Sequence, residues 1–289
     1  MKQTIKLNNG VEMPLEGFGV FQVDRLELCE KAVSEALETG YRLIDTASSY
    51  KNETAVGAAI RKSGVPRNDL FITSKAFIQE MGYEQTKRAF AQSLERLGLD
   101  YLDLYLVHQP FGDYYGAWRA MEELYKEGRV RAIGVSNFLP DRVIDLCFNA
   151  KVIPAVNQLE LHPFYQREEE LNILREYGIA PQAWAPFAEG LNGMFDHPVL
   201  KEIAQAHSKT VAQVILRWNL QRGVAVIPKS VHRNRMEENA AVWDFVLSDY
   251  EMKQIASLDL ARPQMLDPLK PSEVRRLYDY LNNPVLTTL

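Results

Sequence analysis

The 289-residue chain is 46% hydrophobic and 25% charged, the balance of an ordinary globular fold. Its formal charge of −5 argues against a nucleic-acid binder, which needs a dense basic surface. No stretch approaches the roughly 18 apolar residues of a membrane span, the first twenty residues lack the apolar core of a secretory signal, and Cys29 and Cys147 are far apart with no CxxC pairing, so a cytoplasmic protein without membrane or nucleic-acid partners is expected.

The chain opens with TIKLNNGVEMP, two short alternating runs about NNG, which predicts a β-hairpin. EGFGVF follows as a first strand. LELCEKAVSEALETG then has apolar residues at 26, 29, 32, 33, 36 and 37 and ends on Gly40, as a capped helix does. On that stripe Cys29 reads as a buried, inert thiol. YRLID is the next strand, NETAVGAAIRKSG a helix, LFITSK a strand and QTKRAFAQSLERLG a helix. The alternation continues through YLDLYLV, YYGAWRAMEELYKEG, VRAIGV, DRVIDLCFNA, IPAVNQLE, REEELNILREYG and IAPQAWA. One long helical region, PVLKEIAQAHSKTVAQVILRWNLQRG, precedes the strand VAVIPKS, and the last helices fall near RMEENAAVW and DYEMKQIASL. From about Ala261 the tail has no clear period.

Eight near-continuous apolar strands, each followed by helix, predict a parallel sheet covered by helices. That number favours a closed (β/α)8 TIM barrel with an N-terminal β-hairpin and an irregular C-terminal tail. No Pro/Gly/Ser-rich linker divides it, so residues 1–289 are expected to form one barrel domain. GFGVFQ begins like a dinucleotide fingerprint but lacks the third glycine and a following helix. Tyr83 and Lys87 have the YxxxK spacing of short-chain dehydrogenases, yet stand at a surface helix start with no Rossmann half before them.

In such barrels chemistry gathers at the C-terminal strand ends. Asp45 ends the second strand and Tyr50 lies in its loop. Lys75 ends the third, His108 the fourth, and Ser136 and Asn137 the fifth. Asn157, Gln158 and Glu160 lie on the sixth, Trp184 on the seventh, and Lys229 and Ser230 end the eighth. Each alone has a plain structural use: a salt-bridged lysine, a core histidine, a capping aspartate, a core tryptophan. Together they should converge. A phenol is a poor acid at neutral pH, and a neighbouring ammonium lowers its pKa. Lys75 can supply that charge, Asp45 can hold Lys75, and His108 can donate to a carbonyl oxygen. The set suits proton delivery during carbonyl reduction. Lys229 and Arg235, with Ser230 near a helix start, suit a phosphate monoester, which favours NADPH over NADH. A Schiff-base aldolase using Lys75 would leave Tyr50 and these cations unexplained. A non-catalytic nicotinamide-binding sensor would leave the proton-transfer group unexplained. A metal site is not expected, because the remaining histidines lack ligand spacing.

The segment GYRLIDTASSYKNETAVG resembles the signature of the aldo-keto reductases, LDLYLVHQP resembles the family's histidine segment, and IPKSVHRNRMEEN its cofactor segment. The likeness runs from the hairpin to about residue 260. It implies metal-free, NAD(P)H-dependent reduction of aldehydes or ketones on a (β/α)8 barrel, by a monomer acting on a small carbonyl. By this resemblance Tyr50 is the general acid and Asp45, Lys75 and His108 complete a tetrad. Ser136, Asn137 and Gln158 would hold the nicotinamide carboxamide, and Trp184 would stack on its ring. Lys229, Ser230, Val231 and Arg235 would clamp the 2′-phosphate of NADPH, NADH binding more weakly, with Glu238 and Asn239 near the adenine. Phe21, Phe77 and Phe111 would line the substrate pocket with Tyr50, His108 and Trp184, and Met265, Leu266 and Leu269 of the tail would close its mouth. Val20, Phe21, Ser74, Ala185 and His232 depart from common family residues. Val20 and Phe21 are similar to bacterial members of the diketogluconate-reductase and prostaglandin F synthase-like type, which act on small dicarbonyls and sugar-derived ketones.

Overall fold

The computed structural model describes residues 3–280 and 282. An antiparallel hairpin, β1 (Thr4–Lys6) and β2 (Glu12–Pro14), pairs Ile5 with Met13. Its turn crosses the N-terminal end of the barrel: Asn8 Nδ2 donates to Pro154 O at 2.9 Å and Asn9 Nδ2 to Arg131 O at 2.9 Å. Met13 is buried beneath it. The hairpin therefore covers the end opposite the expected site.

Eight parallel strands follow: β3 (Gly17–Gly19), β4 (Leu43–Asp45), β5 (Phe71–Ala76), β6 (Leu102–Val107), β7 (Val130–Ser136), β8 (Val156–Glu160), β9 (Ala180–Trp184) and β10 (Ala225–Val226). They pair in chain order. A parallel bridge between Glu16 and Val226 closes the ring, with Val226 N donating to Leu15 O at 2.8 Å and Gly19 N to Pro228 O at 3.1 Å. The GFG run belongs to this seam. A Cβ on Gly19 would lie 2.9 Å from Ile227 O, and one on Gly17 would strike the Leu43 side chain. The glycines that open the incomplete dinucleotide motif thus allow barrel closure.

The expected helices surround the strands: α1 (Leu26–Thr39), α2 (Glu53–Ser63), α3 (Tyr83–Leu97), α4 (Tyr114–Lys126), α5 (Pro140–Asn149) and α6 (Glu168–Glu176). In α1 the predicted stripe, Cys29, Ala32, Val33, Ala36 and Leu37, is buried, and Gly40 ends the helix at φ 103°. Burial pushes the Cys29 thiol up to about 12, so it is inert as expected. The YxxxK pair has a structural use, since Tyr83 Oη and Lys87 Nζ both bond the Glu123 carboxylate on α4.

Two elements differ from expectation. The long helical region is two helices, α7 (Pro198–Ala206) and α8 (Val211–Gln221). Ser208 sits at φ 53° and Thr210 starts α8 in a capping box with Gln213, which turns the chain. After α9 (Arg233–Ala240) and α10 (Asp249–Ala256) the tail is not irregular throughout, because α11 (Pro271–Asp279) forms at the mouth of the barrel.

Candidate active site

Four polar side chains meet at the C-terminal ends of β4, β5 and β6. Asp45 is the last residue of β4, and a single 3-10 turn, Ser48–Tyr50, brings the phenol back over the strand end. Ser48 Oγ fixes that turn by donating to Glu80 Oε2 at 2.6 Å, with Lys75 O also within reach at 3.0 Å. Lys75, on β5, is 0% exposed. Its ammonium is ion-paired with Asp45 Oδ1, donates to Thr46 O at 3.0 Å and reaches Tyr50 Oη at 3.4 Å. His108 follows β6 and meets the Tyr50 ring edge-on, centroids 5.6 Å apart. Its Nδ1 lies 3.5 Å from Ser49 Oγ.

Burial and the nearby Lys75 charge hold His108 well below the usual imidazole range, so it is neutral. Burial also lowers Lys75, against the opposing pull of Asp45. The expected lowering of Tyr50 does not occur. Burial first, then the Asp45 carboxylate and the Tyr280 phenol, hold Tyr50 well above an ordinary tyrosine. The phenol is therefore held protonated, the form a proton donor requires.

A second network joins this cluster. Gln158 Nε2 donates to Asp45 Oδ2 at 2.8 Å and to Gln182 Oε1 at 2.8 Å, so Gln158 orients the ion pair from across the barrel. Ser136 Oγ donates to Gln158 O at 2.9 Å. Asn137 turns the chain at φ 62°, a conformation asparagine tolerates. Its amide donates to His108 O at 3.1 Å and accepts from Trp184 Nε1 at 2.9 Å. Trp184 is only partly buried, leaving indole surface open at the mouth.

The cationic segment follows β10. Lys229 is partly buried, which lowers it, and the Glu189 carboxylate acts on it in the opposite sense. Ser230 Oγ accepts from His232 N at 3.1 Å, and Val231 lies between them. Arg235 is exposed in the first turn of α9 and has no ionic partner among the described residues. Glu238 accepts from Thr210 Oγ1 at 2.8 Å, and Asn239 is buried. Cationic side chains beside a helix start, one of them unpaired, fit a phosphate monoester. Among the described residues no three His, Cys, Asp or Glu side chains are grouped to hold a metal ion.

The aromatic wall assembles from the expected residues. Phe21 lies 4.9 Å from the Tyr50 ring and Phe77 lies 5.3 Å from His108. Phe77, Ile78, Leu266 and Leu277 form a small apolar cluster against which Phe111, Trp184 and Tyr280 pack. Of the expected tail residues, Leu266 is buried there, whereas Leu269 is 78% exposed and closes nothing. Tyr280, beyond any periodic pattern, was not foreseen; it packs on Phe77 at 5.5 Å. The available signal for α11 was Pro271 at a helix start.

The fold and this cluster define a (β/α)8 barrel whose C-terminal mouth holds a buried Lys–Asp ion pair beside a phenol and an imidazole. The Aldo/keto reductase family model matches residues 18–260. Glyoxal reductase of Bacillus subtilis is 50% identical over 260 residues, 90% of this chain and 94% of that protein. Morphine 6-dehydrogenase of Pseudomonas putida is 48% identical over 269 residues, 88% and 90% respectively. Among solved structures, an aldo/keto reductase from Brucella melitensis superposes with a TM-score of 0.86 at 43% identity, covering 90% of this chain and 100% of that one. An aldo-keto reductase of Bombyx mori in complex with NADP has a TM-score of 0.88 at 32% identity, covering 92% and 95%. The chain belongs to the aldo/keto reductase family. It is an NADP-dependent oxidoreductase of the class that reduces carbonyl groups.

Proposed function

We propose that the chain reduces small aldehydes and ketones, dicarbonyls and sugar-derived ketones among them, with NADPH preferred to NADH and Tyr50 as the general acid. One observation carries the reading: a fully buried Lys75, paired with Asp45, directs a donor at the Tyr50 hydroxyl at 3.4 Å beside a neutral His108. The nicotinamide cofactor, when bound, supplies the hydride. Tyr50 gives its proton to the carbonyl oxygen, and His108 donates a second hydrogen bond to it. Lys75 stabilises the phenolate left behind, and Asp45, oriented by Gln158, keeps Lys75 in place. Ser136, Asn137 and Gln158 would hold the carboxamide and Trp184 the ring face. Lys229, Ser230, Val231 and Arg235 would hold the 2′-phosphate, with Glu238 and Asn239 toward the adenine.

The aromatic wall of Phe21, Phe77 and Phe111 supports a compact carbonyl. The name of the Bacillus subtilis relative, glyoxal reductase, supports a small dicarbonyl. We read residues 1–289 as one catalytic unit acting as a cytoplasmic monomer. Among the described residues no helix is long and apolar enough to cross a membrane. The test is titration with NADPH and NADH by Trp fluorescence quenching, then addition of methylglyoxal while nicotinamide absorbance is followed. Tight NADPH binding with turnover is expected, and Tyr50→Phe should lower turnover by about 10²- to 10⁴-fold while NADPH still binds. Near-normal turnover in that variant removes Tyr50 from the role. NADPH binding without turnover of any carbonyl favours a sensor.

A further inference from the structure

Glu160, the last residue of β8, is 0% exposed and takes no part in the proton transfer described above. Its carboxylate receives three consecutive backbone amides of the tail. Oε1 accepts from Gln264 N at 2.7 Å and Met265 N at 3.1 Å, and Oε2 accepts from Leu266 N at 3.2 Å. His162 Nε2 lies 3.1 Å from Oε1. A carboxyl group has the acceptor sites to take all three amides, and burying it without such partners would be costly. The arrangement is a clasp between a rigid barrel strand and a segment more than a hundred positions away in the chain.

The clasp lies where it can shape the carbonyl pocket. Glu160 is in register with Trp184 on β9. The residue pinned by Oε2, Leu266, packs with Phe77, Ile78 and Leu277, and Phe111, Trp184 and Tyr280 lie against that cluster. A second tether, Gln79 Nε2 to Tyr278 O at 3.0 Å, holds the far end of the same segment. Asn192 Nδ2 also donates to the Gln264 side chain at 2.7 Å, but the three bonds to Glu160 are the ones that bind the backbone of 264–266 to a barrel strand.

We propose that Glu160 is a positioning residue for substrate selection: its carboxylate clasps residues 264–266 so that Leu266 and Tyr280 form a fixed wall and roof that admit compact carbonyls and reject bulky ones. This rests on the carbonyl-reduction reading above. In the test, kcat/KM is measured for methylglyoxal and phenylglyoxal in the full chain, in Glu160→Gln, in Leu266→Ala and in the double variant. NADPH Kd is followed by Trp quenching and backbone protection by hydrogen exchange. Glu160→Gln should raise the phenylglyoxal-to-methylglyoxal ratio about tenfold, the scale expected for losing hydrogen bonds to a charged group. NADPH Kd should stay within about twofold, and amides 264–266 should lose protection while the barrel strands keep theirs. Leu266→Ala should shift the ratio the same way, and the double variant should go no further than the larger single change. Protected amides in Glu160→Gln, an unmoved ratio, or effects that multiply in the double variant overturn the proposal. If Glu160→Gln fails to fold, Glu160→Asp, whose shorter side chain withdraws the carboxylate from the three amides, decides it by the same criteria. An unaltered chain that neither binds NADPH nor reduces either glyoxal strikes the carbonyl-reduction reading instead.

Discussion

Asp45→Asn removes the charge that balances a fully buried ammonium. In the structure Lys75 Nζ has three partners: the Asp45 carboxylate, Thr46 O and the Tyr50 hydroxyl. The substitution leaves only neutral ones. Removing one member of a buried ion pair costs about 3 kcal/mol or more, because the remaining charge is desolvated without compensation. For a domain of this size that corresponds to a fall in Tm of about 6 °C. The ammonium can escape this cost by losing its proton. Burial already lowers Lys75 and Asp45 is the largest influence raising it, so the variant's folded-state pKa drops further. The unfolded chain then binds a proton that the folded chain does not, and stability rises with pH. The deficit against the parent should be largest near neutrality. It should narrow on raising the pH, by up to about 1.4 kcal/mol per unit between the two folded-state pKa values. Thermal melts by circular dichroism at pH 7 and 9.5 measure this. A variant melting within about 2 °C of the parent at pH 7 refutes the reasoning, and so does a deficit that is the same at both pH values.

Lys229→Ala should raise the NADPH Kd about tenfold or more, roughly 1.4 kcal/mol, while NADH changes by about twofold or less; equal losses in fluorescence titrations exclude a 2′-phosphate contact. Gly57→Ala should destabilise by roughly 1–3 kcal/mol in urea unfolding, because the added Cβ would press into the Leu97 backbone where α2 crosses α3; an unchanged midpoint contradicts that packing. His108 is held well below its ordinary range, so the folded ring stays neutral as pH falls while the unfolded ring takes a proton. Stability should therefore decline as pH falls through about 6.5, and carbonyl reduction should show no step there; a kinetic step near 6.5 that is lost in His108→Gln counts against a neutral ring.

Much of this was legible because its signals are local. Gly40 ends α1 and the apolar stripe of α1 is buried, so alternation alone yields the barrel. Placing Asp45, Lys75 and His108 at consecutive strand ends is enough to bring them together. The break between α7 and α8 was hidden because apolar spacing continues across it; Thr210 and Gln213 were the readable cap. α11 was hidden for the opposite reason: Leu277 is its only buried residue, and one contact makes no period. The direction of the Tyr50 shift was not legible either, since it depends on how deeply the phenol is buried and on Tyr280, both set by the tail. Glu160 was visible at a strand end, but its partners are backbone amides, which leave no mark on the sequence.

The buried charges of this barrel divide by what satisfies them. Asp103, at the N-terminal end of β6, takes Arg67 at 2.7 Å, Arg131 at 2.8 Å and the Ile72 amide at 2.8 Å. Glu53 is matched by Ser74 at 2.5 Å and Arg96 at 2.6 Å. In both, the partners are fixed polar groups and the charge ends in structure. Lys75 differs, because one of its three donors points at a hydroxyl that opens toward the mouth. A well-packed apolar replacement of the Asp45–Lys75 pair would fold at least as well. What it could not do, on the mechanism proposed above, is stabilise a phenolate as Tyr50 gives up its proton. On that mechanism the cost of burying Lys75 serves its neighbour Tyr50, whose charge state must change for a carbonyl to be reduced.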